Sequence, residues 1–502
     1  MASISTATTL KGHVYALMLG AILPVSMAPW NWWPVGILSI AGLVVLVKDL
    51  RPLACFWRSF WFGLGMFATG VSWVFVSIHD HGHASVPLAT LLTSLLIIAL
   101  AAVFAAPFAL FGAGFNRRAG AVALAFPAIW VLGEWWRGWA FSGFPWLYLG
   151  YAHLDTWLAG WAPVTGVLGI SWIVALSGTL LGLIALPRQQ FTLSNLGLLV
   201  AALWLGGWYL QSEAWTEPAG EPLSIAALQP ALPLQTKWDG KQLGSILELY
   251  RTETEPLLGK DLVIWPESAI PTFADRVRPY LSELSAAAID RGSALIAGIP
   301  TRGSAERQYF NSVVGLGGAS GSYHKQHLVP FGEYVPFEHW LRGTIAFFDL
   351  PMSAFSAGTA NQPLIAAQGF AIATAICYEI VFPDLVARSA GDANLLLTVS
   401  NDTWFGDSIG PQQHFQIARM RAVENRKPLI RATNDGISAL INYRGQVVAR
   451  VPAHSRQVLS GYLAPRAGQT PFTERGSQPV LILCLLLILA ALLGKHRTSA
   501  RS

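Results

Sequence analysis

The stretch FAIATAICYEIVFPDL (residues 370–385) is apolar for almost all of its first seven residues. It reaches one thiol at Cys377, then turns polar at Tyr378 and Glu379. The spacing predicts a buried strand that stops at Cys377, with a helix starting soon after. In layered α/β folds, polar residues just past the C-terminal ends of strands are where chemistry collects. Cys377 is therefore either a small packed hydrophobe or a nucleophile. The only other cysteines, Cys55 and Cys484, lie inside strongly apolar stretches. Three cysteines do not make a disulfide framework, so the thiol in the polar region has no obvious bridging partner.

Outward from Cys377, the same alternation runs over residues 223–406. LSIAALQP (223–230) and ALIAGIP (294–300) read as buried strands. KQLGSILELYRTETEPLL (241–258) and VRPYLSELSAAAIDRG (277–292) carry helical spacing. DLVIWPESAIP (261–271) is a strand running into a Trp-Pro-Glu turn. YFNSVVGLG (309–317) reads as one strand, and GSYHKQHLVPFGEYVP (321–336) as a strand passing into a loop. ANLLLTVSNDTWFG (393–406) repeats the strand-to-polar-turn theme. The expectation is an α/β sandwich of strands and helices.

Three of these strand ends deliver Glu267, Lys325 and Cys377. Their types suit thiol acyl transfer. A thiol with a pKa near ~8.5 is mostly protonated at neutral pH, and a carboxylate at hydrogen-bond distance can take its proton. A lysine alongside favours the thiolate and then stabilises the oxyanion formed when a carbonyl is attacked. The backbone N–H of Tyr378 would be a second oxyanion donor if a helix starts there. Each residue also has an ordinary reading: packed core for the cysteine, a turn or cap for the glutamate, a solvated side chain for the lysine.

The remainder of the 502-residue chain is of another kind. Hydrophobic residues make up 53% and charged residues 12%, against about 25% charged in soluble domains. The apolar residues crowd into 12–210 and 479–494. Candidate spans lie near 12–28, 33–48, 54–78, 86–114, 120–136, 163–186, 193–210 and 479–494, eight in all, the first two short and interrupted by Pro24, Pro29 and Pro34. Residues 11–28 also have the look of a cleaved signal, although another span follows at once. Twenty-one tryptophans suit a lipid–water boundary.

With a cytoplasmic N-terminus, Lys48, Arg51, Arg117, Arg118, Arg188, Lys495, Arg497 and Arg501 all fall on the cytoplasmic side. Arg137 is the one clear exception. The expected organisation is a seven-span bundle over 1–210, an extracytoplasmic domain over 211–478, and a last span with a cytoplasmic tail over 479–502. A net charge of +5 calls for no nucleic-acid partner. HDHGH (79–83) places three histidines at alternate positions, but polar residues capping two spans account for it, and no metal and no cofactor are expected.

WPES with Glu267, YHKQHLVPFGEYVP with Lys325 and ICYEIVFP with Cys377 resemble, in order and spacing, the Glu–Lys–Cys signature of the nitrilase (carbon–nitrogen hydrolase) superfamily. That resemblance implies an α-β-β-α sandwich. With GFPWLYLGY, PFGEYVPFEHWLR, SIHDHGHAS, SNDTWFG and the flanking spans, the whole chain is similar to the apolipoprotein N-acyltransferase family of the bacterial inner membrane. The resemblance implies Glu267 as base, Lys325 as oxyanion stabiliser and Cys377 as the acylated nucleophile. It also implies Glu333 as the glutamate that orients the lysine, and Tyr378 and Glu379 as required neighbours of the cysteine. Tyr148 and the histidine-rich 79–83 loop depart from the pattern without touching the triplet.

Outside the cytoplasm there is no ATP to activate a fatty acid, so the acyl group must arrive as an ester, and phospholipid is the abundant one. The expected reaction is ping-pong: a Cys377 thioester forms, then passes its acyl group to the amine of a diacylglyceryl apolipoprotein, the chain acting as a monomer within the bilayer. Residues 338–358, with Phe347, Phe348, Leu350, Met352 and Phe355, have the composition of an apolar cover. Arg342 is a candidate phosphate ligand. Trp238, Trp404 and Phe405 are candidates for the acyl or headgroup channel. Two rivals stay open: a tethered amidase that gives the acyl group to water, and a transporter or lipid scaffold with an inactive outer domain.

Overall fold

The computed structural model describes the backbone of residues 10–186, 190–336 and 354–499, and the side chains of 10–186, 194–336 and 354–493. The chain divides into two compact units. One comprises 1–75, 86–213 and 475–502; the other comprises 76–85 and 214–474.

The first unit is helical. Its helices are Leu10–Ile22, Trp33–Val47, Pro52–Gly70, Val86–Gly114, Ala119–Arg137, Ala162–Ile184, Gln190–Leu210 and Gln478–Ser499, with shorter turns between them. Each falls where an apolar run was read in the sequence, because a long apolar run satisfies its backbone internally only as a helix. Three stretches are long and apolar enough to cross a membrane: Val86–Gly114, Ala119–Arg137 and Trp157–Ile184. A fourth is added if Pro52–Gly70 and Trp73–His81 count as one broken span. Leu10–Ser26, Trp33–Val47, Ser194–Leu210 and Gln478–Leu493 are apolar but shorter. Glycines let two of these helices meet closely. A Cβ on Gly20 would run into the Phe62 carbonyl, and one on Gly65 into the Leu17 carbonyl, so backbone packs on backbone as it does between helices in lipid. Cys55 and Cys484 are both buried here.

The second unit is a sandwich of two sheets. One has six strands in the order Gln457–Leu463, Leu223–Gln229, Leu262–Ile264, Ala294–Gly298, Ser312–Gly317, Ser322–His324. The other has seven, in the order Val447–Val451, Ser438–Ile441, Leu429–Thr433, Leu395–Ser400, Phe370–Ile376, Ile365–Ala367, Ala319–Ser320. The central pairs are parallel, as between Leu223–Gln229 and Leu262–Ile264, and between Phe370–Ile376 and Leu395–Ser400. Alternation along the strands builds both layers. Ile225 and Ala227 join Ile264, Ile372, Ile376 and Leu397 in the core between the sheets, while Leu228, Val263 and Leu295 face outward onto Tyr250, Tyr280 and Leu284 of the covering helices. Both faces of the central strands are covered, which is why they read as nearly continuous apolar runs.

One reading needs correction. Residues 309–317 are not a single strand: Tyr309–Phe310 pairs with Thr301–Arg302 in a small separate sheet, and Ser312–Gly317 belongs to the six-stranded one. The break falls at Asn311, whose side chain is committed to two carboxylates.

Candidate active site

Strand ends position the three chemical residues. Glu267 follows the strand Leu262–Ile264 by a Trp-Pro step, Lys325 follows Ser322–His324 directly, and Cys377 follows Phe370–Ile376 directly. The approach at Glu267 is close. A Cβ on Gly298 would collide with the Pro266 carbonyl, so only glycine lets the neighbouring strand end lie against this turn.

Lys325 is buried, with Nζ 2.7 Å from Glu333 Oε2 and 3.6 Å from Glu267 Oε1. Asn311 bridges the two acids, its Nδ2 donating at 2.8 Å to Glu267 and at 2.9 Å to Glu333. The Val329 N–H donates to Glu333 at 2.9 Å. Burial alone would discharge the lysine, but the carboxylates of Glu333 and Glu267 outweigh it and hold its pKa above the usual lysine range. It stays an ammonium.

The sulfur behaves differently from the expectation that the lysine would favour a thiolate. Burial pushes the Cys377 thiol up to about 12; Glu267 and Asp402 push the same way, and Lys325 only partly opposes them. One ammonium between two carboxylates already leaves a net negative charge, so a second anion is unfavourable. The resting sulfur is a thiol. Glu267 and Asp402 are the carboxylates that act on it.

Cys377 has φ +52°. A non-glycine residue stays in this left-handed region only when its surroundings hold it there. Glu379 supplies part of that hold. It is buried, and its Oε2 accepts the N–H of Ile376 at 2.7 Å. Its Oε1 accepts the N–H of Gln326 at 2.7 Å, the N–H of His327 at 3.1 Å and the Tyr323 hydroxyl at 2.9 Å. Burial pushes Glu379 up to about 7, against the pull of those amides and of Lys325. One carboxylate thus ties the residue before Cys377 to the residues after Lys325. The Tyr378 ring packs against His327 and Phe382.

The structure brings Glu267, Lys325, Glu333, Cys377 and Glu379 together. Trp238 is half-buried beside a cavity of about 170 Å³ that is also lined by Phe273, Arg276, Tyr309 and Phe355. The Phe355 N–H donates to the Glu333 carbonyl at 3.0 Å, so this end of the 338–358 stretch is laced to the site. Arg342, Phe347, Phe348, Leu350 and Met352 lie outside the described residues. Trp404 meets the ring of His81 at 5.9 Å, and its carbonyl accepts the Ser77 hydroxyl at 2.7 Å. Phe405 is buried against His414 at 5.7 Å, in the interior of the fold. His79 is bound to the Ala84 carbonyl at 2.7 Å. Among the described residues, no group of three metal-ligating side chains occurs.

Sequence reasoning missed two direct partners of Glu267. Asn311 is one; a lone amide between Phe310 and Ser312 in an apolar run was its only signal. Lys237 is the other. It is fully buried, donates to the Glu267 carbonyl at 2.8 Å, and is held down to about 8 by burial against the pull of Glu267. Nothing in QTKWDG marks it as internal.

A cysteine, a lysine and two acids thus meet at strand ends from both sheets of a sandwich. Residues 224–471 match the family model described as "Carbon-nitrogen hydrolase". Residues 19–180 match "Apolipoprotein N-acyltransferase N-terminal domain". The chain is 45% identical over 493 residues to the apolipoprotein N-acyltransferase of Pseudomonas aeruginosa, covering 97% of this chain and 96% of that protein. It is 45% identical over 496 residues to that of Azotobacter vinelandii, with the same coverage. Against that of Coxiella burnetii the figure is 37% over 483 residues, covering 96% of this chain and 99% of the other. The chain belongs to the apolipoprotein N-acyltransferase family.

Proposed function

We propose that this protein transfers a fatty acyl chain from a membrane phospholipid, through a thioester on Cys377, to the α-amine of a diacylglyceryl-cysteine at the N-terminus of an apolipoprotein. The observation that carries the reading is the buried Glu267–Lys325–Cys377 cluster, in a chain similar along its length to N-acyltransferases.

In the first half-reaction, Sγ attacks the ester carbonyl of the phospholipid as Glu267 takes the thiol proton. The oxyanion lies against the Lys325 ammonium and the Tyr378 N–H. Collapse breaks the C–O bond, and Glu267 returns the proton to the leaving lysophospholipid alkoxide. In the second, the neutral amine attacks the thioester carbonyl and gives a proton to Glu267. The C–S bond breaks, the amide forms, and the sulfur is reprotonated. Asn311 and Glu333 keep Glu267 and Lys325 aligned through both halves. Trp238 and Phe355 line a cavity that would take part of an acyl chain, and water reaching the thioester would compete with the amine.

The test supplies labelled phospholipid alone. Mass spectrometry is expected to find one fatty-acyl adduct on the peptide bearing Cys377. Adding a diacylated lipopeptide should discharge it as N-acyl peptide. Free fatty acid without N-acylated peptide would instead support hydrolysis.

We propose, further, that all eight helices of the first unit cross the bacterial inner membrane. Residues 1–210 then form a seven-span bundle, residues 211–478 the periplasmic catalytic domain, and residues 479–502 the last span and tail. Both termini are cytoplasmic, and the protein acts as a monomer. Lys48, Arg51 and the pair Arg117–Arg118 support the orientation. In a Cys377→Ala background, Asp239→Cys is expected to react with a membrane-impermeant maleimide in intact spheroplasts. Arg117→Cys should react only after lysis, and the reverse pattern would overturn the topology.

A further inference from the structure

Behind the nucleophile lies a set of buried polar side chains that the mechanism has not used. His414, in the helix Gly410–Asn425, places Nε2 3.2 Å from the backbone oxygen of Cys377. Its Nδ1 lies 3.0 Å from Asp402 Oδ1 and 3.0 Å from Arg431 Nη2. Arg431 donates to Asp402 Oδ2 at 2.6 Å and, through Nε, to the Ile437 carbonyl at 3.1 Å. The Ser400 hydroxyl donates to Asp402 Oδ1 at 2.6 Å. All four side chains are buried, so the array has been taken out of water at considerable desolvation cost. Ser400 also bonds the thiol, and through His414 the array reaches the carbonyl oxygen of Cys377.

The proton's place on His414 follows from that partner. A peptide carbonyl only accepts, so Nε2 carries the hydrogen whether Nδ1 accepts from Arg431 or donates to Asp402. A trans peptide is planar, with its C=O and N–H on opposite edges. Holding the Cys377 carbonyl toward His414 therefore directs the Tyr378 N–H the other way. The φ of +52° at Cys377 is the local turn that this clamp and Glu379 together maintain.

We propose that His414, held by Asp402 and Arg431, is a positioning residue for acyl transfer: it clamps the Cys377 carbonyl so that the shared peptide plane presents the Tyr378 N–H to the oxyanion beside Lys325. The inference rests on the acyl-transfer reading above. It also gives Phe405 a place, as the ring packed against the imidazole.

The test separates reactions of the same sulfur. Thioester formation from labelled phospholipid develops an oxyanion; alkylation by iodoacetamide does not. Both rates are measured under single-turnover conditions on the full chain. In His414→Asn the amide nitrogen takes the place of Nδ1 and does not reach the carbonyl. In His414→Gln it takes the place of Nε2 and does. His414→Asn is expected to slow acylation about 100-fold, the scale for a lost oxyanion donor, with alkylation unchanged, and His414→Gln to recover most of that loss. If His414→Asn does not fold, His414→Ser, which removes the donor to the Cys377 carbonyl and leaves Asp402 in place, is expected to give the same split and decides the matter. The proposal is overturned if the Asn variant acylates at the wild-type rate, if Gln is as slow as Asn, or if alkylation falls in step with acylation. Failure of the wild-type chain to form any thioester would instead overturn the acyl-transfer reading itself.

Discussion

Replacing Cys377 with alanine is expected to remove the acyl-thioester entirely and to lower N-acylation by on the order of 10⁶-fold, the scale seen when a covalent nucleophile is deleted. The physical argument is that no other group can take its place. Cys55 and Cys484 are buried in helices of the other unit. Serine should fare little better. The site is built to accept a proton from a thiol already pushed up to about 12, and a hydroxyl is a weaker acid still. An oxygen ester, once formed, is also a poorer acyl donor to an amine than a thioester. The variants should melt close to the wild type, since one sulfur is a small loss from a partly buried position. Intact-protein mass spectrometry and a lipopeptide gel-shift assay provide the readout. More than a tenth of wild-type activity in Cys377→Ala, or an adduct on Cys55 or Cys484, would refute the assignment.

The second large effect is expected for Lys325→Met. Methionine fills the space but leaves Glu267 and Glu333 without the cation that stood 3.6 and 2.7 Å from them. Losing the charged oxyanion partner should slow acylation about 10²–10³-fold. Breaking a wholly buried ion pair should cost about 3–5 kcal/mol, read as a drop in melting temperature. The pH dependence has a definite sign. Lys325 is raised in the folded protein, so its stabilising effect is complete below the unfolded lysine value of about 10.4 and is lost only as pH rises through the higher folded value. Lys325→Met with Glu333→Gln should recover stability without recovering acylation. An active Lys325→Met enzyme would show that the lysine is not part of the oxyanion site.

The strands ending at Cys377 and Lys325 were legible because period-2 burial is a local property, and a polar residue at the end of an apolar run stands out. The strand through Asn311 was misread as continuous for the opposite reason. The two carboxylates that claim its side chain lie 44 and 22 residues away in sequence. Glu379 was found only as a neighbour of the cysteine. Its function depends on amides of Gln326 and His327, more than fifty residues earlier.

By itself, the sequence determined where most of the helices and strands run and which three residue types stand at the strand ends, since these follow from apolar periodicity along a short stretch of chain. The tertiary structure alone decided how charge is shared. Cys377 rests as a thiol because burial and two nearby carboxylates act on it together, and Lys325 remains charged because those same acids enclose it. It alone also brought His414, Asp402 and Arg431 behind the nucleophile's carbonyl. Electrostatic energy depends on distance and exclusion of water, and both are set by groups remote in sequence that only folding brings together.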